Sequence, residues 1–350
     1  MTQTRPAPLR IGILGCANIA RQFVRDAAPS PAIRFTAVAS RDAAKAAAFA
    51  AEFGIPRHHA SYEALLADAE LDAIYIPLPN SLHGEWAIKC AAAGRHVLCE
   101  KPLALGLDEA RAMFDAARRQ GVMLLEAFPY YFQPQTGDMI ALLHGGAIGS
   151  VRSVQASFGF TLAKPQGNIR NDPALGGGAL LDAGCYALSL IRLAMGDAPQ
   201  RVRAEAIWAD SGVDFSLTAT LHYAGGRRAQ LSCAMDGALH RHATIVGSHG
   251  VIETEYLNHT SAQVGGDAFD YLPSLMRLRR GVGGTVPFET VRSGVGSGFR
   301  FAAEAFAKVV AEQDFAAIER AAQASLDNAA TLEAILQSAR SGNAMELPAT

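Results

Sequence analysis

Leu9-Arg10-Ile11-Gly12-Ile13-Leu14-Gly15-Cys16-Ala17-Asn18-Ile19-Ala20 is the stretch that decides the fold. A short run of leucine and isoleucine stops at a glycine, and apolar residues at helical spacing follow from Asn18 to Ala27. A strand that turns at once into a helix leaves backbone N–H groups unpaired at the helix start, and small residues there let a phosphate approach them. Gly15, Cys16, Ala17, Asn18 and Ile19 are therefore candidates for holding a dinucleotide pyrophosphate. The run departs from Gly-x-Gly-x-x-Gly/Ala at Ala17, which adds a methyl where the second glycine is expected. A tight strand–helix turn with no ligand would read much the same, so the decision passes to the rest of the chain.

The alternation continues outward. Strands are expected at 33–40, 73–76, 96–99 and 122–126, and helices at 42–53, 61–67, 81–93 and 107–120, with Gly94 placed to end the third of these helices. Strand–helix alternation predicts a parallel sheet covered on both faces. After Phe128 the pattern changes to a helix at 136–144, a strand at 151–162, a glycine-rich loop and a helix at 179–195. Strands at 202–209, 215–223, 228–235, 242–246 and 251–255 follow, separated by short turns, and 281–298 reads as glycine-rich loop. The expected class is α/β: a Rossmann-type doubly wound domain at 1–127, and at 128–350 an α+β domain with a largely antiparallel open sheet. The helical segment 299–340 could pack back on the first domain.

Composition narrows the partners. The 350 residues carry 31 basic and 33 acidic side chains, which excludes the cationic surface that nucleic acid or an anionic membrane requires. Five widely spaced cysteines without a CxxC pair predict reduced thiols and no metal. Residues 1–10 lack the apolar core of a signal peptide, and Asp182 and Arg192 interrupt the most hydrophobic later run, so a soluble cytoplasmic protein is expected.

The end of the second strand bears on the cofactor. An NAD site would place an acid there for the ribose hydroxyls, but the chain reads Ser40-Arg41, with Lys45 a turn further on and Asp42 better placed as a helix cap. A hydroxyl, a guanidinium and an ammonium suit a 2′-phosphate, which favours NADP over NAD. Two further segments carry chemistry: Gly94-Arg95-His96-Val97-Leu98-Cys99-Glu100-Lys101-Pro102 and Gly176-Gly177-Gly178-Ala179-Leu180-Leu181-Asp182-Ala183-Gly184-Cys185-Tyr186. Lys101, one of only five lysines, follows a parallel strand and so falls at the carboxyl edge of the sheet, where ligands bind in this architecture. Asp182 and Tyr186 are four apart in a helix and share a face.

With the first turn and Glu126-Ala127-Phe128, these segments resemble the Gfo/Idh/MocA family of oxidoreductases, closest to its glucose–fructose oxidoreductase, D-xylose dehydrogenase and dimeric dihydrodiol dehydrogenase branch. The resemblance covers most of the chain. It implies hydride transfer between NADP and a sugar or polyol, with Tyr186 as acid/base and Lys101 orienting substrate and stabilising a phenolate. Asp182 would accept from a neighbouring substrate hydroxyl. By the same resemblance Pro77, Leu78 and Asn80, with His83 in the following helix, form the loop region beside ribose and nicotinamide, Glu100 meets the nicotinamide ribose, and Phe128, Asn168 and Arg170 contact substrate. A homodimer or higher oligomer through the second sheet is also implied. The branch often has Arg and His after Glu-Ala-Phe, whereas 129–135 here reads Pro-Tyr-Tyr-Phe-Gln-Pro-Gln, which loosens the substrate more than the reaction type. Alternatives are a keto-sugar reductase, a trans-dihydrodiol dehydrogenase, a glycosidase working through transient oxidation, or an NADP-binding sensor without turnover.

Overall fold

A computed structural model describes residues 7–255, 274–294 and 296–347. Met1 to Pro6, part of the segment read for a targeting signal, lie outside them. The chain divides into two compact units. The first holds the described residues up to 104, 108–129 and 297–325, and the second holds 105–107, 130–296 and the residues from 326 on.

In the first unit the alternation is realised as β1 (Leu9–Leu14), α1 (Asn18–Ala27), β2 (Ile33–Ala39), α2 (Ala43–Phe53), β3 (Arg57–His59), α3 (Tyr62–Leu66), β4 (Ala73–Ile76), α4 (His83–Ala92), β5 (His96–Glu100), α5 (Leu107–Gln120) and β6 (Leu124–Ala127). All six strands are parallel, in the order β3-β2-β1-β4-β5-β6. The order reverses between β1 and β4, the switch point at which such sheets bind ligands outside their carboxyl ends. Local signals place the helices as expected: Asp42 accepts from the N–H groups of Ala44 and Lys45, Ser61 accepts from Ala64, and Gly54 and Gly94 end their helices in the left-handed conformation. β3 was not legible, because three residues are too few to show a period. Phe299, Ala303 and Phe306 of α8 (Gly298–Glu312) and Ile318 of α9 (Phe315–Ser341) complete a core with Ile11, Ile13, Phe23, Phe49 and Tyr75.

The second unit begins with α6 (Pro134–His144) and β7 (Val151–Thr161), and holds α7 (Cys185–Met195), which continues a π-helical turn at Leu180–Gly184. The strands β8 (Arg201–Trp208), β9 (Asp214–His222), β10 (Arg228–Ala234), β11 (Asp236–Gly247), β12 (Gly250–Thr254), β13 (Ser274–Arg280), β14 (Glu289–Ser293) and β15 (Met345–Glu346) join β7 in one sheet, ordered β14-β13-β12-β11-β7-β10-β9-β8-β15. Every pairing is antiparallel except β7 with β10. The exception has a cause at Met235. β10 and β11 are separated by that single residue, yet they lie on opposite sides of β7, and the chain crosses the end of β7 where Leu162 donates to the Met235 carbonyl at 2.9 Å. The segment 281–298, read as loop, contains β14, an edge strand whose mixed polar composition gives no clean alternation. The helix expected at 179–195 is one helical run, but its first turn is π, with hydrogen bonds reaching one residue further than in an α-helix.

Candidate active site

Gly15 closes β1 with φ of +119°, a conformation L side chains rarely adopt, and its N–H donates to the Ala39 carbonyl at 2.9 Å. A Cβ there would stand 3.0 Å from Leu78 and 3.7 Å from the Tyr62 hydroxyl, so the cradle needs glycine. Ala17 sits at the N-cap of α1 with φ −70° and ψ 161°, an ordinary extended conformation that costs alanine nothing. That explains the departure from the glycine fingerprint. No side chain caps α1, so the N–H groups of Asn18 and Ile19 remain for an anion, and the dipole favours one. These features fit a bound dinucleotide. Cys16 is half-buried, with Sγ 3.7 Å from the Lys45 carbonyl, and burial pushes its thiol up.

Ser40, buried, accepts from the Asp42 N–H at 3.1 Å, while Arg41 and Lys45 stay exposed. Lys45 Nζ lies 4.0 Å from Asp42. Tyr62 joins this group unannounced by any motif. It is buried edge-on against Trp86, burial pushes its phenol up, and Arg41 donates to its hydroxyl. Nothing in the sequence links a residue at the start of α3 to the end of β2; only the sheet order brings them together.

The turn after β5 is braced by buried polar side chains. His83 is wholly buried, with Nδ1 2.9 Å from the Pro102 carbonyl and Nε2 2.9 Å from the Leu78 carbonyl. It ties the 77–80 loop to the Lys101–Pro102 turn, whose peptide is cis. Burial pushes its imidazole down, so the neutral ring donates through one nitrogen only. Glu100, buried, accepts from the Tyr75 hydroxyl at 2.5 Å. Glu126, also buried, accepts from the Leu103 N–H at 2.8 Å and the Ser325 hydroxyl at 2.6 Å. Burial pushes the Glu126 carboxyl up to about 7, against the opposing pull of those hydrogen bonds and the Lys101 charge. Lys101 itself is half-buried, and its charge acts on the Glu126 carboxyl at the end of β6. The 77–80 loop and Phe128 likewise follow carboxyl ends of strands, β4 and β6, so every first-unit candidate lies at one edge of the sheet or in the helix starts that follow it.

In the second unit Asn168 accepts from the Arg170 N–H at 3.0 Å, and Arg170 Nε donates to Asp182 at 2.6 Å. The structure thus joins two residues that the sequence placed separately: Asp182 holds, and is held by, the loop before the glycine run. The Gly178 N–H donates to the Arg170 carbonyl at 2.9 Å, fastening the loop to the helix start. Tyr186 has 1% of its surface exposed, packed edge-on against Tyr130 and Phe158, with centroids 6.1 and 5.6 Å away. Tyr130 belongs to the 129–135 stretch, and its hydroxyl pairs with Ser189 at 2.8 Å.

A doubly wound parallel sheet with a glycine cradle at β1 and a braced lysine at β5, in one chain with a mostly antiparallel sheet and a glycine-led helix, defines a nicotinamide-dinucleotide oxidoreductase. The chain belongs to the Gfo/Idh/MocA family: residues 9–128 match the oxidoreductase family with NAD-binding Rossmann fold, and 138–253 match the GFO/IDH/MocA C-terminal domain. It is 38% identical over 341 residues to D-xylose 1-dehydrogenase (NADP(+)) 2 of Haloferax volcanii, covering 97% of this chain and 100% of the relative. It is 36% identical over 245 residues to the trans-1,2-dihydrobenzene-1,2-diol dehydrogenase of Xenopus tropicalis, covering 69% and 74%. Among solved structures, KijD10, a 3-ketoreductase from Actinomadura kijaniata in complex with NADP and TDP-benzene, superimposes with a TM-score of 0.83 at 32% identity, covering 95% and 98%.

Proposed function

We propose that the protein transfers a hydride between NADP and a sugar or polyol, as an aldose dehydrogenase does. The observation that supports this reading best is the Lys101 turn, a single lysine at the carboxyl edge of a parallel sheet, braced by buried Glu100, Glu126 and His83. Bound NADP supplies the hydride acceptor or donor. Tyr186 takes the proton from the substrate hydroxyl in oxidation and returns it to the carbonyl in reduction. An unperturbed phenol has a pKa of ~10, so this role needs a cation, and the Lys101 ammonium acts on the same substrate to supply it. Asp182, its orientation fixed by Arg170, accepts from a neighbouring hydroxyl. Ser40, Arg41 and Lys45 receive the 2′-phosphate.

The NADP and substrate terms are tested together by incubating the protein with NADP or NAD and a panel of aldoses, polyols, dihydrodiols and keto-sugars, recording absorbance of the reduced nicotinamide. Aldose turnover with NADP is expected. Tight dinucleotide binding with no turnover on any member would replace this reading with a sensor. In the same assay Tyr186→Phe should lower kcat by about 100-fold, the usual worth of a positioned acid/base; wild-type turnover across pH would remove the role. We also propose a cytoplasmic homodimer formed through the sheet face on which Gln155, Arg203, Glu205, Thr218, Gln230 and His242 are exposed. Light scattering on the purified protein tests that state.

A further inference from the structure

The helical run that carries Asp182 and Tyr186 starts without a cap of its own, for Ala179 has no acceptor side chain. The acceptor comes from another element. Asp214, first residue of β9 and 34 positions away, accepts from the Leu180 N–H at 2.6 Å, and its carboxylate also accepts from the Ala179 N–H. It is 2% exposed. Gly178 takes φ of +118° immediately before the run, and a Cβ there would overlap the Asp214 carboxylate. The Gly178 carbonyl then accepts from the Asp182 N–H at 3.1 Å. One buried carboxylate thus fixes where the run begins, and the glycine exists to let it approach.

The choice of Asp is informative. Burial pushes this carboxyl up to about 6, so the ionised form is held at a cost in stability. Asparagine would avoid that cost but has one acceptor oxygen, and its NH₂ would face an N–H that now donates. Three backbone N–H groups, those of Ala179, Leu180 and Asp214 itself, give the site more donors than a single amide oxygen serves, which favours the carboxylate. The groups facing it are the two amides of the run, the N–H of Asp214 itself, Arg340 of α9, and Cys233 of β10, whose thiol burial pushes up.

We infer that Asp214 is a positioning residue: its carboxylate sets the start of the 180–195 helical run and so the placement of Asp182 and Tyr186 toward substrate. The inference rests on the proposed roles of those two residues. Asp214→Asn should lower kcat by about 10–100-fold, the scale of a small misplacement of a reacting group, with the NADP dissociation constant, read by fluorescence titration, unchanged. The wild-type kcat profile should show an acid limb near 6 that the variant loses. Tyr186→Phe is assayed in parallel. If Tyr186→Phe keeps wild-type turnover, the underlying reading falls whatever Asp214→Asn does. If Tyr186→Phe is impaired while Asp214→Asn shows wild-type kcat and only a lower melting temperature, the inference alone is overturned. Should Asp214→Asn not fold, wild-type hydrogen exchange decides. Amides of 179–182 that exchange by local fraying, with Asp214 still buried, should lose about tenfold in protection, corrected for intrinsic rates, between pH 7.5 and 5, because protonation removes the charge-assisted cap. Unchanged protection there overturns the proposal.

Discussion

Replacing Glu126 by glutamine should remove a pH dependence from stability, with a sign the structure dictates. The carboxyl titrates near 4.5 in an open chain and near 7 when buried at the end of β6, so folding favours its protonated form. Its contribution is fully present below about 4.5 and is lost as pH rises through 7. At 1.36 kcal/mol per pKa unit, the loss across that window is about 3 kcal/mol. Glutamine keeps both hydrogen bonds, its carbonyl accepting from the Leu103 N–H and its amide donating to Ser325. Glu126→Gln should therefore match or trail the wild type at pH 5 and exceed it by a few kcal/mol at pH 8. The assay is urea unfolding of both proteins across that range. A difference between them that stays flat with pH would refute the assignment of the ionisation to Glu126.

Two further substitutions probe the cofactor half. Arg41→Ala should lower the kcat/KM preference for NADP over NAD by about tenfold, the lower end of a charged hydrogen bond because the guanidinium is exposed; an unchanged ratio would separate Arg41 from the 2′-phosphate. Gly15→Ala should raise the dissociation constants of both dinucleotides and cost about 1–3 kcal/mol of stability, since alanine must take φ of +119° against Leu78. Wild-type affinity in calorimetric titration would show that the cradle does not hold the phosphates.

The first unit was legible because its signals are local. Asp42, Ser61, Gly54 and Gly94 end or begin helices by chemistry contained within a few residues, and the apolar strands of a parallel sheet read as continuous runs. The second sheet was legible in class but not in order. A single residue between two strands announces a hairpin, and only the seating of β7 between them, set by pairing more than sixty residues away in sequence, turns β10 and β11 into neighbours of a third strand. β14 and β15 are short edge strands whose partners supply the register that their own composition lacks.

The site divides the same way. Lys101, Asp182 and Tyr186 stood out because motifs carry them, but what holds them does not lie in motifs. His83 was expected at the helix start beside the cofactor loop and proves to be a brace with both ring nitrogens turned to backbone carbonyls. Glu126 stood in a recognised triplet without a role, and Tyr62 and Asp214 stood in none. All four are buried, and burial of polar groups is tolerated only where partners are guaranteed by tertiary structure. Two carboxyls raised to about 6 and 7 weaken the fold at neutral pH, the buried imidazole weakens it as pH falls below its ordinary 6.5, and each sits directly behind a segment proposed to touch cofactor or substrate. Ordinary packing would have placed apolar side chains in those positions. Polar bracing at such cost is the expected signature of turns that must be held to hydrogen-bond tolerance, and it supports the proposal that the chemistry constrains the fold at the Lys101 turn and the Leu180 helix start.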